Sequence, residues 1–148
     1  MKKKLFVVIS LVLISLIHAN AQRSPIYISS GSAVGGYDVV AYFTEGNPVK
    51  GNPKLVYHWQ GADWYFSNAA NLKLFESNPG KYAPQFGGYC AYGVSQGHKA
   101  TIDPQAWTIV GDKLYLNYDL DVKKKWLKDT VRYIKVANKN WPEIKDKE

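Results

Sequence analysis

The sequence predicts an α+β domain in which a small antiparallel sheet of two hairpins packs with a short central helix and a C-terminal helix. Three observations predict it. Lys54-Leu55-Val56-Tyr57-His58-Trp59 and Asp63-Trp64-Tyr65-Phe66 are aromatic and β-branched runs joined by Gln60-Gly61-Ala62, a turn carrying glycine. Ala106 to Val110 and Lys113 to Asn117 flank Gly111-Asp112 and read as a second hairpin. Apolar residues then recur at helical spacing, at Ala69, Leu72 and Phe75 with Leu74, and at Val122, Trp126, Tyr133, Ile134 and Ala137.

In chain order, Met1-Lys2-Lys3-Lys4 and the apolar run from Leu5 to Ile17 end in Ala19-Asn20-Ala21. A basic cap, an apolar run too short to span a bilayer and small residues at the cleavage positions make residues 1–21 a signal peptide, cut between Ala21 and Gln22. The expected location is therefore periplasmic or secreted, with no stable membrane anchor after cleavage. Residues 22–35, with Pro25, Gly31 and Gly35, read as an irregular N-terminal segment with a short strand at Ile26 to Ile28. Asp38 is placed to cap a short helix over Val39 to Phe43. In the first hairpin Leu55, Tyr57 and Trp59 share one face and leave Val56 and His58 on the other. Ser67 or Asn68 caps the helix Ala69 to Ser77, which Asn78-Pro79-Gly80 ends. Asp119 or Asp121 opens the last helix, Trp141-Pro142 closes the domain, and residues 143–148 read as a frayed tail.

The formal charge is +7, and three of the 19 basic residues leave with the signal. Seven of the remaining 16 lie on the C-terminal helix, from Lys123 to Lys139, as a solvated face, so nucleic acid is not an expected partner. No paired carboxylates or nucleophile–base spacing points to hydrolysis. The chain holds one cysteine, so no intramolecular disulfide is possible, and an exported thiol must be free, joined to another molecule or ligated.

That cysteine marks the candidate site. Gly87-Gly88-Tyr89-Cys90-Ala91-Tyr92-Gly93 and the following Gly97-His98-Lys99 combine a thiol, an imidazole and glycines that let the backbone approach a ligand. In an extended segment Cys90 and Tyr92 point to one face, with Tyr92 beside the sulfur and Tyr89 opposite. Three readings stay open. The first is a copper or zinc site with Cys90 as thiolate ligand, His98 as nitrogen ligand and His58 as a weaker third. The second is a thiol-based redox protein in which Lys99 or His98 lowers the Cys90 pKa and a partner protein restores the thiol. The third is a non-catalytic interaction module using the aromatic load of five Trp and eleven Tyr.

Taken together, Gly36-Tyr37-Asp38-Val39-Val40-Ala41-Tyr42-Phe43, Tyr57-His58-Trp59, Trp64-Tyr65-Phe66-Ser67, Asn78-Pro79-Gly80-Lys81-Tyr82-Ala83-Pro84, the Gly87 to Gly93 segment and Leu114-Tyr115-Leu116-Asn117-Tyr118 resemble the YHS-domain family over residues 36–142. Short YHS modules carry metal-binding cysteines at three places. Ala41, Ser67 and Asn71 stand there in this chain, so the resemblance transfers no ligand role to them. It implies instead the longer, exported subfamily, in which some relatives carry selenocysteine at the position of Cys90. That raises the expectation of redox or metal chemistry at this sulfur, with Tyr37, Gly87, Gly88, Tyr89 and Tyr92 in support.

Overall fold

The computed structural model describes residues 24–147, so the signal-peptide segment lies outside the described residues. The architecture is α+β, with three two-stranded antiparallel sheets and six α-helices among those residues. In order come β1 (Ile28–Ser29), β2 (Ser32–Ala33), α1 (Ala41–Thr44), β3 (Asn52–Trp59), β4 (Ala62–Phe66), α2 (Ala69–Ser77), α3 (Pro79–Tyr82), α4 (Ala91–Ser95), β5 (Asp103–Val110), β6 (Lys113–Asn117), α5 (Leu120–Leu127) and α6 (Thr130–Ile144).

Both predicted hairpins form, β3 with β4 and β5 with β6. Their turns place Gln60, Gly61, Gly111 and Asp112 at positive φ, the conformation whose twist matches that of two-residue hairpins. They do not join into one sheet as expected. Ala62, Trp64 and Phe66 of the first share one apolar cluster with Leu114 and Leu116 of the second, so the hairpins meet through side chains rather than strand edges.

Residues 24–35 are less irregular than the sequence suggested. The strand falls at β1 rather than at Ile26 to Ile28, while Ile26, Ala33 and Val34 enter the main cluster. Asn68 caps α2 by accepting the Asn71 N–H (2.8 Å), and Asn78 caps α3 with Pro79 in its first turn. The buried face of α2 differs from the expected stripe: Asn71 and Phe75 are buried and Leu72 half-buried, whereas Ala69 and Leu74 are exposed.

The single C-terminal helix is two. Asp119 caps α5 and Asp129, with φ −157°, breaks the chain and caps α6. Nor does Pro142 close the domain. It lacks only its own N–H, and the Lys145 N–H still reaches the Trp141 carbonyl (2.9 Å), so α6 runs on to Ile144 into the expected tail.

β6 divides the interior. Leu114 and Leu116 face the main cluster, while Tyr115 turns to a second cluster with Phe86, Ala91, Val94, Trp126 and Ala137. Cys90 lies on this second side, where α4 packs against β6 and α6.

Burial raises the pKa of Tyr42, Cys90 and Tyr115. A raised folded-state value contributes stability that is present below the unfolded-state pKa and is lost as pH rises through the folded one. Urea midpoints are therefore expected to fall from about pH 9 upward. Tyr42→Phe, which removes the hydroxyl bonded to the Pro104 carbonyl (3.0 Å), is expected to flatten that decline by up to about 1.4 kcal/mol per pH unit. An unchanged slope in the variant would contradict this assignment.

Candidate functional site

The glycine-rich centre is not extended. The backbone at Phe86, Gly87 and Gly88 takes positive φ, and Cys90 becomes the N-cap of α4. Its Sγ accepts the Gly93 N–H (3.4 Å), as a serine or aspartate oxygen does in a commoner cap. In a capping box the third helical residue would reach back to the N-cap N–H. That residue is Gly93, and the Ala100 carbonyl takes its place by accepting the Cys90 N–H (3.0 Å). A Cβ on Gly93 would come within 3.3 Å of Ala100 Cβ and of the His98 carbonyl oxygen, so glycine is what lets the 98–100 segment cross here.

The sulfur has further partners. Sγ accepts the Tyr118 N–H (3.2 Å) and donates to Asn117 Oδ1 (3.6 Å), which also accepts the Tyr92 N–H (3.1 Å). Cys90 is 1 % exposed. Burial pushes the thiol pKa up; the N–H groups of Gly93, Tyr118 and Tyr92 pull it down, and the Asp119 carboxylate adds to the rise. The net rise runs opposite to the shift expected of a thiol activated by Lys99 or His98, and neither residue is among its causes. Lys99 Nζ donates to the Lys145 carbonyl (3.1 Å) and lies 5.2 Å from the Tyr89 ring centroid.

The expected supporting residues disperse. Tyr92 meets the site through its backbone, because a helix rather than a strand follows Cys90; its ring packs on Tyr133 (5.2 Å) and does not stand beside the sulfur as a strand would have placed it. Tyr89 packs edge-on to Tyr27 (5.5 Å) and against Trp141 (6.1 Å). Tyr37 bridges to Lys50, whose Nζ lies over its ring (4.6 Å), and so belongs to the Asp38 end of the fold. Gly87 and Gly88 serve packing: a Cβ on either would strike Pro25 O or Val34 Cγ1.

The three expected metal ligands lie in different settings. The exposed His98 brings Nε2 to 3.5 Å from where a Cβ on Gly93 would project, and it lines a cleft of about 640 Å³ with Tyr27, Tyr89 and Lys99. His58 pairs instead with Asp63 (2.9 Å) on the exposed face of the first hairpin. Among the described residues no three His, Cys, Asp or Glu side chains converge.

A second polar centre surrounds Asp38, which is 0 % exposed. Oδ1 accepts the N–H groups of Val40 (2.9 Å) and Ala41 (3.2 Å), the predicted capping role. Oδ2 accepts Ser67 N–H (2.8 Å), Ser67 Oγ–H (2.7 Å) and Asn71 Nδ2–H (2.8 Å). Positions 41, 67 and 71 thus meet at one carboxylate.

Asn117 is the site residue that the sequence reading missed. Its signal was a polar side chain closing the otherwise apolar run Leu114-Tyr115-Leu116, a place where burial demands partners. Compared with protein-family models, characterised proteins and solved structures, the chain matches none.

Proposed function

We propose that this chain is an exported YHS-type domain whose chemistry is thiol redox at Cys90. The observation that carries the reading is the setting of Sγ, a buried sulfur held by two backbone N–H donors and a buried amide. A cysteine used only as a small apolar filler needs no such partners. The YHS assignment draws support from positions 41, 67 and 71, which the resemblance groups as ligand positions and which gather around Asp38 in space.

The chemistry is that of a guarded thiol. With its pKa raised, Cys90 is mostly protonated at neutral pH and reacts slowly; the N–H donors favour the thiolate when it forms. No second cysteine exists to resolve an oxidised sulfur, so an external thiol must reduce it.

The test is oxidation of the native protein by hydrogen peroxide, followed by mass spectrometry, and its reversal by an added dithiol. Oxidation is expected to accelerate about tenfold per pH unit and to go on accelerating beyond the ordinary cysteine value of about 8.5. Cys90→Ser, whose hydroxyl also caps α4, is expected to fold and to lose all of this reactivity. Native protein that resists peroxide throughout would overturn the reading.

A copper or zinc site on Cys90 and His98 is the second reading, favoured by the approach of the imidazole to Gly93. Elemental analysis of the same chelator-free preparations separates the two. Near-stoichiometric metal in the parent and none in Cys90→Ser would favour the metal.

A further inference from the structure

Asn117 is 0 % exposed, and its amide is used on one side only. Oδ1 serves the Tyr92 N–H and the Cys90 thiol, while Nδ2 has no acceptor among the described residues. A buried amide donor without an acceptor carries its full desolvation cost, so such a group calls for a partner that forms in another state of the protein. The same side of β6 carries a second such donor: Trp126 Nε1 is buried without an acceptor, and its ring packs on Tyr115 (5.3 Å), two residues before Asn117.

The reduced sulfur cannot satisfy Nδ2, because Oδ1 is the atom turned to it. We infer that Asn117 Nδ2 is the receiving donor for a sulfenic acid on Cys90, formed by a hydroperoxide and reduced by an external low-molecular-weight or protein thiol. This rests on the redox reading and names the residue that stabilises its oxidised state.

In the forward step the sulfur attacks the distal oxygen of the hydroperoxide. An S–O bond forms as the O–O bond breaks, sulfur gives up two electrons, and the leaving alkoxide takes the former thiol proton to depart as an alcohol, or as water from hydrogen peroxide. In the return, one external thiol displaces the sulfenic oxygen as water to give a mixed disulfide. A second attacks that disulfide, leaves as the oxidised dithiol and restores the cysteine. The sulfur lies one residue beneath the surface. Tyr118, whose N–H it accepts, is 52 % exposed.

The experiment uses the whole protein, isotope-labelled for amide NMR, before and after a limiting dose of hydrogen peroxide, with intact mass read on the same samples. The expected result is one added oxygen on Cys90 together with a moved Asn117 side-chain amide resonance, both reversed by dithiothreitol and both absent from Cys90→Ser. Asn117→Leu, which keeps the size and removes the Nδ2 donor together with the Oδ1 acceptor of the Tyr92 N–H, is expected to raise the ratio of sulfinic to sulfenic product about fivefold or more. Should that variant fail to fold, the native amide resonance decides alone. One added oxygen with an unmoved Asn117 amide would overturn this inference and leave the redox reading standing. No added oxygen in the folded protein would overturn both.

Discussion

Asp38→Ala is expected to cost the domain about 4 kcal/mol or more, enough to leave a protein of ordinary stability largely unfolded. The carboxylate accepts five hydrogen bonds with no exposed surface, and it ties the start of α1 to the end of β4 and the first turn of α2. Removing it strands four donors, because the Ala41 N–H keeps the backbone carbonyl of residue 38 (3.2 Å), and each buried, unpaired donor costs roughly 1–3 kcal/mol, less than additively when neighbours relax together. Asp38→Asn is expected to do little better. Its oxygen can serve one group of donors, but its amide nitrogen then faces the N–H or O–H donors of the other. Urea unfolding of both variants beside Ser67→Ala measures the effect. Ser67→Ala removes a single hydroxyl donor and leaves the other four bonds, so its expected cost is about 1 kcal/mol. Comparable costs for Asp38→Ala and Ser67→Ala would show that the carboxylate is not the organising group.

Asp38 also shows what was legible in the sequence. Its capping role followed from its place before an apolar run, because the N-cap interaction is local. The three further donors come from residues 29 and 33 positions away, and no local pattern encodes them. The two hairpins were legible for the same reason, since Gln60-Gly61 and Gly111-Asp112 set their turns within the hairpins themselves. α4 was not. Gly93 lowers its helix propensity, and the helix is held from outside: Asn140 Nδ2 donates to the Val94 and Ser95 carbonyls (3.0 and 3.2 Å) and Cys90 caps its start. Misreading α4 as extended misplaced Tyr92 and hid Asn117, because an extended chain alternates side chains where a capped helix turns its backbone N–H groups toward the sulfur. His98, grouped with Cys90 by sequence proximity, comes to rest against Gly93; His58, grouped by residue type alone, went to Asp63.

Gly87→Ala is expected to detach the N-terminal segment from the loop that leads to Cys90, at a cost of about 3–5 kcal/mol. Gly87 sits at φ +61°, where an alanine pays about 1–2 kcal/mol of backbone strain. Space adds to that. The new Cβ would overlap the Pro25 carbonyl oxygen and lie 2.8 Å from its carbon and 3.3 Å from Ile26 Cα, all backbone atoms that no rotamer change can move. Relief requires the 25–27 segment to withdraw, which breaks the bond from Tyr27 N–H to the Gly87 carbonyl (2.8 Å) and uncovers Ile26, a buried side chain worth about 1.5–3 kcal/mol. Gly31→Ala is the control. Gly31 has φ +78° and nothing within 4 Å of the added Cβ, so only strain of about 1–2 kcal/mol applies. Amide exchange at Tyr27 provides the local readout, with protection lost in Gly87→Ala and kept in Gly31→Ala. Because Tyr27 packs on Tyr89, the neighbour of Cys90, loosening the segment is also expected to speed alkylation of the buried thiol at fixed pH. Equal alkylation rates in the two variants, with Tyr27 deprotected only in Gly87→Ala, would separate the N-terminal segment from the guarding of the sulfur.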